Sequence, residues 1–295
     1  MDKKRNVLFV AICLLPTIAL FGTFSVYPFA QALLMAFYDW SGVTDNRVFV
    51  GFEHFKVMWN DRIVWIALKN NLFLLLIVPL LTMSLSLLFA VVLTRKQLKE
   101  KMFYRTVFFF PNVLALVVIS ILWSFIYHPT FGILNSILEA LGLEQWVQAW
   151  LGQSDTVLWA IAMPMVWQAV GYYMIIYIAA IEGVPTHLYE SALLEGATEV
   201  QRFFFITLPL IWDIIRITIV FFLSGVFTGV FVYINIMTAG GPNNASEVLM
   251  TYMYKQAFSN GNYGYGMAVG ILMLLVTITL TLLADRLTKR ESIQY

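Results

Sequence analysis

Long apolar blocks, broken by short polar stretches, constrain this chain more than any other feature. Six stand out, over residues 7–37, 65–93, 107–127, 157–181, 214–237 and 266–283. Each reaches the roughly 17–25 apolar residues that carry a helix across the hydrocarbon core of a bilayer. No water is available there to satisfy backbone N–H and C=O groups, so runs of this length resolve as helices. Composition agrees: 60% of the 295 residues are hydrophobic and 12% are charged, about half the charged fraction of a soluble domain. The expectation is an all-α integral membrane protein with six transmembrane helices in a single domain over 1–295. Pro16, Gly22 and Pro28 mark bends in the first block, and Pro79 lies inside the second. Pro111 sits near the start of the third, while Pro164 and Gly171 interrupt the fourth.

Charge sets the orientation. Lys3, Lys4 and Arg5 precede the first block in the manner of a secretory signal, but the apolar run continues past the usual length without a prompt small-residue cleavage site. It reads as a retained first helix. Six spans place both termini on one side. That side carries Lys3, Lys4, Arg5, the cations Arg95, Lys96, Lys99, Lys101 and Arg105, and Arg202, Arg216, Arg286, Lys289 and Arg290. Only Arg47, Lys56, Arg62, Lys69 and Lys255 fall opposite. The positive-inside rule then makes both termini cytoplasmic. Lipid is the surrounding partner. The formal net charge of +1 gives no argument for nucleic acid. Cys13 lies inside the first block and is expected to be a buried, unreactive thiol, with no intramolecular disulfide available to it.

The polar stretches have their own pattern. Residues 39–62 hold Asp45, Asn46 and the Phe49-Val50-Gly51-Phe52 turn, and 133–141 reads as a short helix at the interface. The Gly240-Gly241-Pro242-Asn243-Asn244 turn ends the fifth helix, and 246–258 reads as a further short helix. Between the fourth and fifth blocks, residues 184–211 fit two short helices forming an elbow outside the bilayer. Pro185 starts the first and Gly196 ends it, since glycine tolerates left-handed backbone angles. Thr198 caps the second, with Gln201 three residues on as the other half of a capping box. Pro209 closes that helix or kinks its passage into the next span. Ser191, Ala192, Gly196 and Ala197 keep the bend small, so another protein surface can approach the backbone.

The run Glu190-Ser191-Ala192, Gly196-Ala197, Gln201, Phe203, Ile206-Thr207-Leu208-Pro209 resembles the EAA loop in the permease subunits of binding-protein-dependent ABC importers. Ser191 stands where the family has Ala, and Glu195 where Asp is common. The resemblance extends along the chain. Phe49-Val50-Gly51-Phe52-Glu53-His54-Phe55 and Tyr104-Arg105-Thr106-Val107-Phe108-Phe109-Phe110-Pro111 resemble segments of sugar-type permeases. So do Trp167, Gly171, Met174 and Tyr177, and Thr238-Ala239-Gly240-Gly241-Pro242 with Tyr252, Tyr254 and Ala257-Phe258. These point to the maltose and oligosaccharide branch, although the large extracytoplasmic insertion of the maltose permease is absent.

The resemblance implies a type I ABC importer permease fold with a cytoplasmic EAA coupling loop, in a bacterial or archaeal cell membrane. Glu190, Ser191, Ala192, Glu195, Gly196, Ala197, Gln201 and Pro209 would meet an ATPase. It implies a second, homologous permease subunit, two ATPase subunits and an extracytoplasmic solute-binding protein as partners. It also places Gln168, Ala169 and Tyr172 of the fourth helix, and Leu223, Val226 and Phe227 of the fifth, on sugar-facing positions, with Thr228 and Asn235 as nearby polar groups. Gln168 and Tyr172 share a helical face, and line the path or serve packing; Asn235 is read as packing glue to a neighbouring helix. The segment from Gly240 to Phe258 either meets the binding protein or simply returns the chain to the membrane.

Enzyme chemistry is not legible. There is no G-x-x-x-x-G-K-[ST] phosphate loop, so ATP and Mg belong on partner ATPase subunits and no cofactor is expected on this chain. The histidines His54, His128 and His187 have no metal-ligand spacing, and no metal is expected. Two other readings stand beside a sugar importer. An ABC permease for glycerol phosphate or another polyol derivative calls for buried Arg or Lys, which mid-span regions lack. An ATPase-independent secondary transporter usually calls for intramembrane Asp or Glu, also missing.

Overall fold

The computed structural model describes residues 3–42, 46–95 and 99–289, without the side chains of 3–11, 95 and 226–228. Asp45, Lys96 and Arg290 therefore lie outside the described residues, as do the side chains of Lys3, Lys4, Arg5 and Arg95. Among the described residues the regular structure is helical, apart from one antiparallel pairing. In it β1 (Tyr38–Asp39) lies beside β2 (Val48–Phe49), with Tyr38 opposite Phe49.

Among the described residues, four helical stretches are long and apolar enough to cross a membrane: Ile12–Met35, Arg62–Thr94, Val157–Glu182 and Tyr263–Thr288. Two bent pairs bring the number to six if each pair counts as one span. The first stretch joins α1 (Lys3–Phe21) to α2 (Tyr27–Met35) through a π-helical turn, Gly22–Val26. Pro28 is the second residue after that turn. Its ring has no N–H and crowds the carbonyl four residues earlier, and the wider turn makes room for it. The apolar window of this stretch buries no residue within the chain. Cys13 is accordingly exposed rather than buried. The apolar surroundings its sequence implied are not supplied by the rest of this chain.

Contacts gather the chain into two compact units, residues 1–64 with 252–274, and 65–251 with 275–295. In the second, α8 (Val157–Glu182) is the buried centre. Hydroxyls fasten neighbours to it. Ser86 Oγ of α4 (Arg62–Arg95) donates to the Val170 carbonyl at 2.8 Å. The Tyr177 hydroxyl lies 2.9 Å from Met83 Sδ and 2.8 Å from Thr218 Oγ1 of α12 (Trp212–Met237), linking three helices. Such groups recur between membrane helices because a lone hydroxyl in hydrocarbon is costly.

Two helices depart from the sequence expectation. The stretch 107–127 is not one helix but two, α5 (Lys101–Val113) and α6 (Leu116–Ile126), meeting at 100°. The break is not at Pro111, which stays inside α5. It falls at Leu114 and Ala115, both in extended backbone. The two halves have different partners, α5 packing on α8 and α6 mainly on α12, so tertiary packing decides the bend. Conversely, α8 runs unbroken through Pro164 and Gly171. Gly171 is a notch, not a hinge. A Cβ there would collide with the backbone of Phe108 and Phe109 on α5.

The turn after α12 is anchored to α4. Asn70 Nδ2 donates to the Ala245 and Glu247 carbonyls, both at 2.9 Å, and Asn71 Oδ1 accepts from the Leu249 N–H at 2.8 Å. Helix α13 (Leu249–Tyr254) follows, then a π-helical turn, Lys255–Ser259, and α14 (Tyr263–Thr288). The polar stretch between α6 and α8 carries α7 (Ile133–Ala140), organised by buried Asn135. Its amide donates to the Pro129 and Gln148 carbonyls, and its oxygen accepts from Trp150 Nε1.

In the first unit, α3 (Glu53–Asn60) leads to Asp61, whose carboxylate gathers three donors. They are the Ile63 N–H at 2.8 Å, the Tyr252 hydroxyl at 2.5 Å and the Tyr265 hydroxyl at 2.6 Å.

Candidate functional site

The elbow is built by local chemistry on both sides of its bend. Pro185 precedes α9 (Thr186–Leu194), and Gly196 ends it at φ +80°. The Gly196 N–H reaches the Leu193 carbonyl at 3.0 Å and the Ala197 N–H reaches that of Ala192 at 2.9 Å, which is the paired closure of a Schellman motif. Thr198 then caps α10 (Glu199–Arg202). Its N–H donates to Gln201 Oε1 at 2.8 Å while its hydroxyl accepts from the Gln201 N–H at 3.3 Å. A π-helical turn, Phe203–Thr207, carries the chain into α11 (Leu208–Leu210), with Pro209 just after the turn as Pro28 is earlier. The sharp bend comes two residues beyond Pro209, at Ile211, where Glu199–Leu210 and Trp212–Gly225 meet at 67°.

A cross-brace holds the two arms. The Tyr189 and Thr207 hydroxyls are 3.0 Å apart, and Thr207 is fully buried. Glu199 and Arg202 pair at 2.6 Å along α10. Ion pairs also stand at the elbow's entry and exit. Arg105 meets Glu182 at 2.6 Å at the end of α8, and Arg216 meets Asp285 at 2.6 Å near the start of α12. Trp212 Nε1 adds a bond to the Thr288 carbonyl at 2.8 Å.

What this frame presents outward is mixed. Glu190, Ser191, Glu195, Gly196 and Gln201 are exposed, while Ala192, Ala197 and Pro209 are half-buried. Between them stand large apolar side chains with no cover, above all Leu194 at 90% and Phe205 at 80% exposure. The polarity of the sequence hid these residues. They became visible once the helix register set which face looks out.

A second feature lies in the same unit. A cavity of about 260 Å³ is lined by residues of α5, α6, α8 and α12. Gln168, Ala169 and Tyr172, expected on the path, all line it. Leu223 does not, being half-buried elsewhere on α12. The side chains of Val226, Phe227 and Thr228 are outside the described residues, although Gly225 and Gly229 on either side reach the wall. Asn235, expected as packing glue, is exposed and has no hydrogen bond of its side chain among the described residues. The sequence reading missed Asn112, Met165, Tyr173, Phe221 and Tyr233. Asn112 sits next to Pro111 at the end of α5, and only the 100° turn that follows makes this end a wall.

No group of three or more His, Cys, Asp or Glu among the described residues is placed to hold a metal ion.

Residues 73–291 match the family described as binding-protein-dependent transport system inner membrane component. A probable ABC transporter permease protein of Bacillus subtilis, YurN, is 36% identical over 88% of this chain and 89% of its own length. The permease protein NgcF of a diacetylchitobiose uptake system in Streptomyces coelicolor is 35% identical over 88% of this chain and 76% of its own. Among solved structures, a chain of a bacterial alginate ABC transporter in complex with an alginate pentasaccharide-bound periplasmic protein superposes with a TM-score of 0.85. It is 28% identical and covers 98% of this chain and 97% of that one. With the family match across three-quarters of its length, this chain belongs to the binding-protein-dependent transport system inner membrane components, and is a multi-pass permease subunit of an ABC importer.

Proposed function

We propose that this permease moves a sugar or oligosaccharide, handed over by an extracytoplasmic binding protein, into the cytoplasm. It works beside a second, homologous permease and two ATPase subunits that dock on the elbows, one per permease. ATP and Mg reside on the ATPases, and this chain hydrolyses nothing itself. Both termini and the elbow face the cytoplasm of a bacterial or archaeal cell.

The observation that carries this reading is the elbow: a braced, rigid pair of helix turns that leaves Leu194 and Phe205 bare to solvent. Bare apolar side chains on a rigid polar frame suit insertion into a groove of a partner protein. At the elbow's entry an ion pair ties α8 to α5, and at its exit another ties α12 to α14, so a push passed from the elbow into α8 and α12 carries their paired helices too. The sugar follows from the cavity's amides and rings, and from relatives named for diacetylchitobiose and alginate. Among the described residues, the cavity wall offers no cation to a phosphate.

Purification of the tagged chain from its native membrane tests the assembly. A second permease and an ATPase are expected to co-purify, and Gly196→Asp is expected to leave the chain inserted but abolish ATP-driven uptake. Recovery of the chain alone, active in vesicles without any ATPase, would overturn the reading.

A further inference from the structure

The turn that follows α12 is a buried one. Ser246, Glu247, Val248 and Leu249 are all shielded from solvent, although connections ordinarily run over the surface, where water satisfies their backbone. Two adjacent side chains near the start of α4 take the place of that water. The Asn70 amide donates to the Ala245 and Glu247 carbonyls, and the Asn71 oxygen accepts from the Leu249 N–H. Asn70 is 6% exposed and Asn71 1%. Both lie in a stretch long and apolar enough to cross a membrane, where an amide is costly unless it has a partner.

The turn is also strained and braced from within. Ala239, Asn243 and Asn244 have φ angles of +48°, +48° and +64°, left-handed backbone that costs free energy in any residue but glycine. Such backbone persists where the bonds around it over-determine it, and it clusters at functional sites. Here the Thr238 and Ser246 hydroxyls are 2.8 Å apart, Ser246 Oγ donates to the Gly241 carbonyl at 2.5 Å, and the Ala245 N–H donates to the Pro242 carbonyl at 2.7 Å. The turn is thus a braced extension of α12, and the two asparagines fasten it to α4. A second set of fastenings lies away from the turn. Ser86 bonds α4 to α8, and Thr218, near the start of α12, meets Tyr177 of α8. Ser86 stands about 24 Å along α4 from Asn70, at 1.5 Å per residue. So α4 and α12 are joined to a common helix at one level and to each other, through the turn, at a distant one.

We infer that Asn70 and Asn71 are positioning residues for transport, latching the turn of residues 238–249 to α4 so that the ends of α4 and α12 beside it move as one body. Helix α12 begins at the elbow and ends at this turn. A push delivered at its elbow end reaches α4 at the far end only through the latch. With the latch cut, ATP hydrolysis proceeds without a matching movement of α4. The inference rests on the import reading above and adds to it the residues that pass the motion on.

The test uses the complete importer with its binding protein in proteoliposomes, and reads sugar moved per ATP hydrolysed. Maltose, lactose and diacetylchitobiose are offered, and the one that the parent importer accumulates fastest is the probe. Asn71→Leu removes the acceptor and is expected to lower uptake per ATP about fivefold, with assembly and basal ATP hydrolysis retained. Asn71→Asp keeps an oxygen for the Leu249 N–H and is expected to retain uptake. The same exchange one residue earlier has the opposite result. Asn70→Asp sets an acceptor against two carbonyls, and uptake per ATP is expected to fall at least as far as in Asn71→Leu. Unchanged uptake per ATP in both Asn71→Leu and Asn70→Asp would overturn the latch while leaving sugar import intact. A second measurement needs neither a latch variant nor a transported sugar. Spin labels are placed at Lys69→Cys and Asn243→Cys, both exposed positions, after Cys13→Ala removes the one native thiol. Their separation is expected to be the same in the ATP-free and the vanadate-trapped importer, and a change between the two states would overturn the latch. A parent importer that hydrolyses ATP but moves none of the three sugars would overturn the sugar-import reading, and the label separation would still decide whether the turn and α4 move together.

Discussion

The hydroxyls of Tyr189 and Thr207 meet at 3.0 Å across the elbow, one from the first helix and one from the end of the second. Eighteen positions separate them in the chain, and their contact joins two helices too short to be stable alone. Each helix has a local cap, which acts within one arm, whereas this bond links the two arms across the bend.

A double-mutant cycle measures that brace. Tyr189→Phe and Thr207→Val are each expected to destabilise the solubilised importer by about 1 kcal/mol, with a coupling between them of about 0.5–1.5 kcal/mol. Thermal unfolding and the rate of proteolysis within 186–207 give the readout. Additive effects would mean that the two hydroxyls act independently and that the brace is unimportant.

Gly171 and Gly225 form a matched comparison. A Cβ at Gly171 would strike the Phe108 and Phe109 backbone, whereas one at Gly225 would meet nothing within 4 Å. Gly171→Ala must push α5 off α8 and is expected to cost about 1–3 kcal/mol. Gly225→Ala is expected to be neutral or slightly stabilising, since alanine is the better helix former. Equal melting temperatures for the two variants would refute the notch.

Asp61 predicts an acid transition in the unit of residues 1–64 and 252–274. Burial raises its carboxyl, but the Tyr252 and Tyr265 hydroxyls and the Ile63 and Val64 N–H groups outweigh that and hold it below the ordinary 3.8. A carboxyl depressed by folding contributes stability above its unfolded value, and loses it as pH falls through the folded one. Protection from hydrogen exchange in α13 and the start of α14, relative to the intrinsic rate at each pH, is therefore expected to fall as pH drops below 3.8. Tyr252→Phe removes one donor, lets the folded carboxyl rise toward its ordinary value and is expected to shrink that acid-driven loss. A loss as large as in the parent protein would remove Asp61 from the explanation.

Much of this molecule is written in local patterns. The apolar blocks dictate helices because hydrocarbon leaves the backbone no other partner. The elbow is legible because each of its devices spans six residues or fewer: the Gly196 closure and the Thr198–Gln201 box form as their spacing dictates. Gln168 and Tyr172 were legible as cavity residues through the resemblance and their shared helical face.

Only the tertiary structure decided the rest. The third block bends at Leu114–Ala115 because its halves pack on different helices, a choice no residue in the block records. That bend turns Asn112 from an ordinary polar residue beside a proline into part of the cavity wall. Gly171 reads in sequence as a weak point of α8, and in space it is where α5 comes closest. Cys13 lies in an apolar run that the rest of this chain does not cover, so apolar sequence alone did not distinguish the chain's own core from its outer surface. Sequence determined which segments are helical and where they are capped, since those are short-range matters of hydrogen bonding and solvent. Which helices touch, and which polar groups are left facing a cavity, depends on pairs of residues far apart in the chain, and packing alone selects them.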